Sequence, residues 1–248
     1  MIDILSQYWQ TFLVGQYPQG PLGGVAMTLA IATVGIAASL PIALAIAICR
    51  ISKVAPLRWL AFGIVQFVRG MPLLMLIFWA YFLLPALTHV TVSGLVTLIC
   101  ALIVYQAAYL SEVIRSGIEA IPRGQTEAAR ALGLGYIATL RLVVVPQALY
   151  NVLPSMLSEF ISTIKETSLG YVIGVQELTF AANQVNSQLL TRPLQTYALL
   201  AGAYFIICFT LTRSVRHVEV RLNRKRTARR VASIAAPSLP VMAGEKID

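Results

Sequence analysis

The run LGGVAMTLAIATVGIAASLPIALAIAI, Leu22–Ile48, contains no ionisable residue and stops just before Arg50. At about 1.5 Å of rise per residue, a helix of this length exceeds the roughly 30 Å hydrocarbon core of a bilayer, so it predicts a span that tilts or projects. It is too long for a signal peptide, no basic region precedes it, and no small-residue cleavage pattern follows it, so a retained span is the better reading. The composition agrees. Of 248 residues, 58% are hydrophobic and 12% charged, against roughly 25% charged in ordinary soluble domains. A soluble chain of this size can bury a large core without uncharged runs of about twenty residues, so the chain reads as an all-α integral membrane protein.

Outward from this run, four more apolar regions follow. The second extends from Trp59 to about Thr88 and is interrupted by Arg69-Gly70-Met71-Pro72; the third extends from about Thr91 to Ser111. The fourth covers Leu142 to about Ile164 with Glu159 inside it, and the fifth covers about Leu194 to Thr212. Basic residues alternate between the connections. There are none before the first span, then Arg50, Lys53 and Arg58, then none around Pro85 to Val90, then Arg115, Arg123, Arg130 and Arg141. Lys165 and Arg192 flank the next connection, and a dense set follows the fifth span. The positive-inside bias therefore puts the N-terminus outside, the C-terminus inside, and the connection after the third span in the cytoplasm.

This divides the chain into an extracytoplasmic segment (1–21), a membrane domain (22–213) with a cytoplasmic segment (122–141), and a basic cytoplasmic tail (214–248). The stretch from Arg213 to Arg230 suits anionic lipid headgroups, and the Ala/Pro/Ser composition beyond Ala232 reads as a disordered end. No nucleic-acid recognition fold accompanies the basic stretch, so nucleic acid is not an expected partner. Cys49, Cys100 and Cys208 are odd in number and unclustered, and read as packing residues rather than a disulfide or metal framework. His89 and His217 lie near opposite membrane surfaces. There is no glycine-rich loop ending in Lys-Ser/Thr, hence no nucleotide site and no cofactor of this chain's own. No carboxylate pair, nucleophile or metal cluster supports an enzyme.

The cytoplasmic segment contains Gly124-Gln125-Thr126-Glu127-Ala128-Ala129-Arg130-Ala131-Leu132-Gly133. Pro122 and Gly124 break the preceding helix, after which Thr126 to Leu132 predicts about two turns. Gln125 or Thr126 is placed to cap them, Glu127 sits in the first turn, and Gly133 is placed to end them in a left-handed conformation. The three alanines permit close approach by another surface, while Glu127, Arg123 and Arg130 offer charge-assisted bonds. Taken alone, the segment reads first as a short structural helix lying at the membrane surface.

Glu127-Ala128-Ala129, Gly133, then Val143, Val145 and Pro146 resemble the EAA loop of membrane subunits of bacterial ABC importers. Arg69-Gly70-Met71-Pro72-Leu73-Leu74 resembles the Arg-Gly-Thr-Pro-Leu signature of the polar amino acid branch, and Lys165-Glu166-Thr167-Ser168-Leu169 its Lys-Asp/Asn-Thr-Ser-Leu element. Met71 replaces a common threonine and Glu166 a shorter residue; both departures bear on substrate preference rather than class. The resemblance covers roughly Gly20 to Arg213. It implies the type I ABC importer transmembrane fold, with five transmembrane helices and a cytoplasmic coupling helix. Glu127, Ala128, Ala129, Arg130, Gly133 and Pro146 would couple this chain to a cytoplasmic ATPase dimer, where ATP and magnesium reside. A second permease subunit, identical or homologous, and an extracytoplasmic amino acid-binding protein would complete the machine in the bacterial inner membrane.

An ionisable group inside a span is costly unless it faces protein or water. Ser155, Glu159, Ser162, Thr163 and Glu166 recur at spacings of three, four or seven and predict one polar face. Glu159 and Glu166 suit a substrate's ammonium, and Arg69 or Lys165 its carboxylates; internal charge pairing is the competing explanation. Tyr105, Gln106 and Tyr109 either line the same route or bond across helices. Pro41, Pro72, Pro146 and Pro154 predict kinks that shape packing. The sequence looks somewhat like a glutamate/aspartate permease, with glutamine or another polar amino acid as the alternative. A secondary transporter would use broken helices too, but it would need a larger repeated membrane domain and not the Glu127 to Gly133 pattern. A structural adaptor would not need Glu159 and Glu166.

Overall fold

The computed structural model describes residues 2–235 and, among them, is built of helices, with one isolated antiparallel bridge between Gly15 and Leu22. Helix α1 (Ile2–Val14) precedes the first span, α2 (Gly24–Ile51). Then α3 (Ala55–Arg69) and α4 (Leu73–Phe78) meet at a 100° bend, and a π turn (Trp79–Leu83) carries α4 into α5 (Leu84–Thr88). The third span is α6 (Gly94–Glu119). Short helices α7 (Arg123–Ala131) and α8 (Tyr136–Thr139) follow, then a π turn (Leu140–Val144) opens into α9 (Val145–Glu166), extended by a 3-10 turn to Ile173. Helix α10 (Leu178–Leu189) leads to the last helix, α11 (Pro193–Ala235).

Among the described residues, four helices are long and apolar enough to cross a membrane, and the bent pair is the fifth candidate. All five lie where the apolar runs predict them. Several boundaries move, the end of the third span among them, since α6 runs on to Glu119 rather than stopping at Ser111. The fourth span starts at Tyr136 rather than Leu142, because a π turn absorbs the extra residue ahead of Pro146. The fifth continues into the basic stretch without a break, as helix to Ala235, and the expected disordered end lies almost wholly at 236–248, outside the described residues. The N-terminal segment carries a helix, for which the apolar runs gave no sign.

The bend has a local cause. Pro72 has no N–H to continue α3 and disfavours helical geometry at Met71, so α4 restarts with Pro72 as its N-cap (ψ 140°).

Packing settles into three clusters. Ile31, Leu73, Ile77, Leu98 and Leu102 join α2, α4 and α6 in one half. Ala43, Ala47, Leu110, Ile114, Ile118, Val144 and Ala148 join α2, α6 and the start of α9 in the half nearer α7. Ile4 and Phe12 of α1 meet Leu178, Ala182 and Val185 of α10. Buried hydroxyls return to their own helix, as a lipid-exposed fold requires: Ser39 donates to the Ile36 carbonyl at 2.9 Å and Ser111 to that of Ala108 at 2.7 Å. Buried Glu177 caps α10 by accepting the Thr179 and Phe180 N–H at 2.8 and 3.0 Å, and its carboxylate also accepts the Tyr204 hydroxyl at 2.9 Å.

Small residues set the α6–α9 distance. A Cβ on Gly117 would lie 2.4 Å from Val152 Cγ1 and 3.3 Å from the Ala148 carbonyl oxygen. Gly117→Leu is expected to destabilise the fold by about 1–3 kcal/mol through overpacking, read as a lower thermal midpoint of the purified protein. An unchanged midpoint would mean that α9 does not rest on α6 here.

Candidate functional site

The polar segment after α6 forms a helix with a well-defined end. Leu132 N–H donates to the Ala128 carbonyl at 3.2 Å, Gly133 N–H to Arg130 at 2.9 Å and Leu134 N–H to Ala129 at 3.1 Å. With Gly133 at φ +83°, this is a Schellman ending, which satisfies carbonyls that the last turn leaves open. The start differs from expectation. The helix begins at Arg123, behind Pro122 as N-cap, and has no side-chain cap. Gln125 and Thr126 fall inside it because Pro122 already supplies the break that a capping side chain would otherwise mark. The Gln125 amide oxygen instead accepts from Gln147 Nε2 at 3.2 Å, tying α7 to the first turn of α9.

One face of α7 is anchored and the rest is open. Ala129 is 4% exposed, whereas Glu127, Ala128, Arg130, Ala131 and Gly133 are exposed, and Leu132 is 83% exposed. Ile137 on α8 is exposed beside them. No ion pair involves Glu127 or Arg130 among the described residues. The surface therefore combines small side chains, two exposed apolar side chains and unpaired charges of both signs. Pro146 follows directly on the π turn, where the continuous helix has already shifted to the wider bond from Val145 N–H to the Leu140 carbonyl, which accommodates its missing N–H. Val144, just ahead of α9, packs with Ala148 against α2 and α6.

A second polar region runs between α6, α9 and the α3 end. Gln106, fully buried, donates from Nε2 to Glu166 Oε2 at 2.6 Å, and its own Oε1 has no partner. The Tyr105 hydroxyl donates to that of Tyr109 at 3.2 Å, and the guanidinium of Arg69 stands 5.2 Å from the Tyr109 ring centre. Glu159 is half-buried, its carboxylate has no hydrogen-bonded partner among the described residues, and the charge of Arg69 reaches it. Arg69, Glu159 and Glu166 thus gather around the α6 tyrosines. Ser162 is half-buried on the same α9 face. Thr163 is fully buried and spends its hydroxyl on the Glu159 carbonyl at 2.9 Å. Lys165 is exposed on α9, next in the chain to Glu166.

Sequence reasoning passed over Glu112. It accepts from both Arg50 and Arg115, lies 3.9 Å from Arg69, and Arg115 also pairs with Glu119 at 2.5 Å. One carboxylate thereby joins the ends of α2, α3 and α6. The signal was present: Glu112 stands three residues before Arg115, a spacing that pairs charges on a helix. Reading Arg115 only as a topology marker concealed it.

Comparison with known proteins agrees with these features. The chain is 37% identical over 209 residues to the inner membrane amino-acid ABC transporter permease protein YhdY of Escherichia coli K12, covering 83% of this chain and 57% of that longer protein. It is also 37% identical over 214 residues to the probable glutamine ABC transporter permease protein GlnP of Bacillus subtilis, covering 84% of this chain and 98% of the relative. Other relatives are named for cystine, arginine and glutamate/aspartate transport. A crystal structure of an amino acid ABC transporter with histidines superposes with a TM-score of 0.78 at 30% identity, covering 89% of this chain and 99% of that one. The fold is accordingly the type I importer membrane fold. The profile of the binding-protein-dependent transport system inner membrane component matches residues 39–224, and the chain belongs to that family.

Proposed function

We propose that α7 docks a separate cytoplasmic ATPase dimer, and that the region between α6, α9 and Arg69 is the route of a polar amino acid. As a permease subunit of an amino-acid ABC importer in the inner membrane, the chain is non-catalytic; ATP and magnesium belong to the ATPase. In this reading the α7 end faces the cytoplasm, the N-terminus lies outside, a binding protein delivers the amino acid, and a second permease subunit completes the path. The exposed apolar face of α11, with Phe205, Ile206 and Phe209, leaves room for such a subunit.

One observation carries the reading: the same continuous stretch that presents Glu127 to Leu132 to the outside runs into the helix bearing Glu159 and Glu166. A displacement of α7 therefore moves the carboxylates with it.

The charge at the path also bears on cargo. Glu159 and Glu166 suit the ammonium, and Arg69 suits the α-carboxylate. Two carboxylates facing one arginine favour a neutral or cationic side chain over an anionic one. A glutamate/aspartate cargo is the second reading. It is supported by the guanidinium of Arg69, held at the α3 end 3.9 Å from Glu112 and over the Tyr109 ring, as a cation that suits an anionic side chain.

Glu159→Gln and Glu166→Gln are each expected to raise the KM for uptake about tenfold, the worth of one charge-assisted bond. The assay is uptake in proteoliposomes holding the full complex, with glutamine, arginine and glutamate as competitors. Unchanged KM and maximal rate in both variants would place the amino acid elsewhere.

A further inference from the structure

We infer that the groove between α2 and α3 is a binding site for an anionic phospholipid, with an acyl chain in the groove and the headgroup on Lys53 and Arg58. The groove is a cavity of about 460 Å³, and every residue lining it is apolar. Ile42, Ala45 and Cys49 form its α2 wall, and Leu57, Leu60 and Ile64 its α3 wall. Ala45 and Cys49, four positions apart on one face of α2, are too short to fill the space beside Leu57, Leu60 and Ile64. Ile42, Leu57, Leu60 and Ile64 are 44%, 41%, 63% and 49% exposed, so no other part of the described chain covers the groove.

Charge selects the occupant. The groove ends at the connection 52–54, where Lys53, and Arg58 at the start of α3, are exposed and have no carboxylate partner among the described residues. Arg50, just before this connection, is engaged by Glu112, lies over the Phe62 ring and is only 10% exposed, so it is not available to a ligand. An apolar groove with two unpaired cations at one end matches a hydrocarbon tail carrying a phosphate. A helix of another subunit seated there would cover two like charges without neutralising them, which is costly in a low-dielectric setting. A zwitterionic lipid would fill the groove without the net attraction that both cations supply. Lys53 also stands 5.3 Å from the Tyr136 ring centre, so a headgroup bound there lies beside the start of α8, just past the end of α7.

The test compares phosphatidylglycerol with phosphatidylcholine of the same acyl chains, each added to the delipidated full complex and counted by native mass spectrometry. Retention of phosphatidylglycerol is expected to exceed that of phosphatidylcholine on the order of tenfold, and Lys53→Gln/Arg58→Gln to remove most of that preference. Ala45→Phe, which fills the groove from an exposed position, should lower retention of both lipids. Should that variant fail to fold, phosphatidylglycerol with a photoreactive acyl chain, applied to the unaltered complex, is expected to label residues 42–64. Equal retention of the two lipids, an unchanged preference in the double variant, or labelling confined to other helices would overturn the assignment. So would an Ala45→Cys disulfide between two permease subunits. None of these readouts depends on which amino acid is transported.

Discussion

Gly133→Val is expected to cut binding-protein-stimulated ATP hydrolysis and uptake at least about tenfold in a complex that still inserts and assembles. Gly133→Asn is expected to keep most of both. The residue sits at φ +83°, and a Cβ built on it meets no heavy atom within 4 Å. The cost of a side chain is therefore conformational rather than steric. For a non-glycine residue the left-handed region costs roughly 1–2 kcal/mol, more for a β-branched one and less for asparagine, which visits it readily. Valine would leave that region and give up the bonds from Gly133 to Arg130 and from Leu134 to Ala129. Leu132, 83% exposed at the rim, would then turn away from its present direction. Each 1.4 kcal/mol lost from the docking-competent form is a factor of ten in its population. The assay is ATP hydrolysis and uptake by the reconstituted complex. Equal loss in both variants would point to a packing fault, and no loss in either would remove α7 from the coupling reading.

How much of this was legible in the sequence depends on the range of the interaction. The spans were readable because length without charge is a local property, and the bend was readable because Pro72 acts on its immediate neighbours. Gly133 was placed correctly for the same reason. The start of α7 was not, since two residue types that cap helices lay downstream of the proline that ends the previous one. Helices α1 and α10 escaped notice because each is too short to show as a span. Ile4 and Phe12 become core only on meeting Leu178, Ala182 and Val185, roughly 170 positions away. The path residues were partly legible. Periodicity put Glu159, Ser162, Thr163 and Glu166 on one α9 face, but it did not separate the half-buried carboxylates from Thr163, which is sealed in the core. Gln106 was one of three α6 residues expected either to line the route or to bond across helices, but its partner Glu166, 60 positions away on α9, left no pattern.

Glu112 presents the same problem at higher stakes, because three arginines converge on it from α2, α3 and α6. Glu112→Ala is expected to destabilise the protein by about 2 kcal/mol, somewhat under the cost of breaking a fully buried pair because the Glu112 side chain is 24% exposed. Most of that loss should come from Arg50, whose side chain is only 10% exposed and which has no other carboxylate among the described ion pairs. Arg115 keeps Glu119, and Arg69 keeps the Tyr109 ring. The double change Arg50→Met/Glu112→Leu should therefore recover most of the stability, since replacing both partners by apolar groups of similar size removes the stranded charge along with the bond. Transport should not recover with it. The end of α3 would still lack the carboxylate that draws Arg69 towards α6, and Arg69 would be free to turn to Glu159. The thermal midpoint and the uptake rate of the same preparations separate the two roles. Recovery of both would make Glu112 a packing residue, whereas a recovered midpoint with impaired uptake would make it the residue that keeps Arg69 in position at the path.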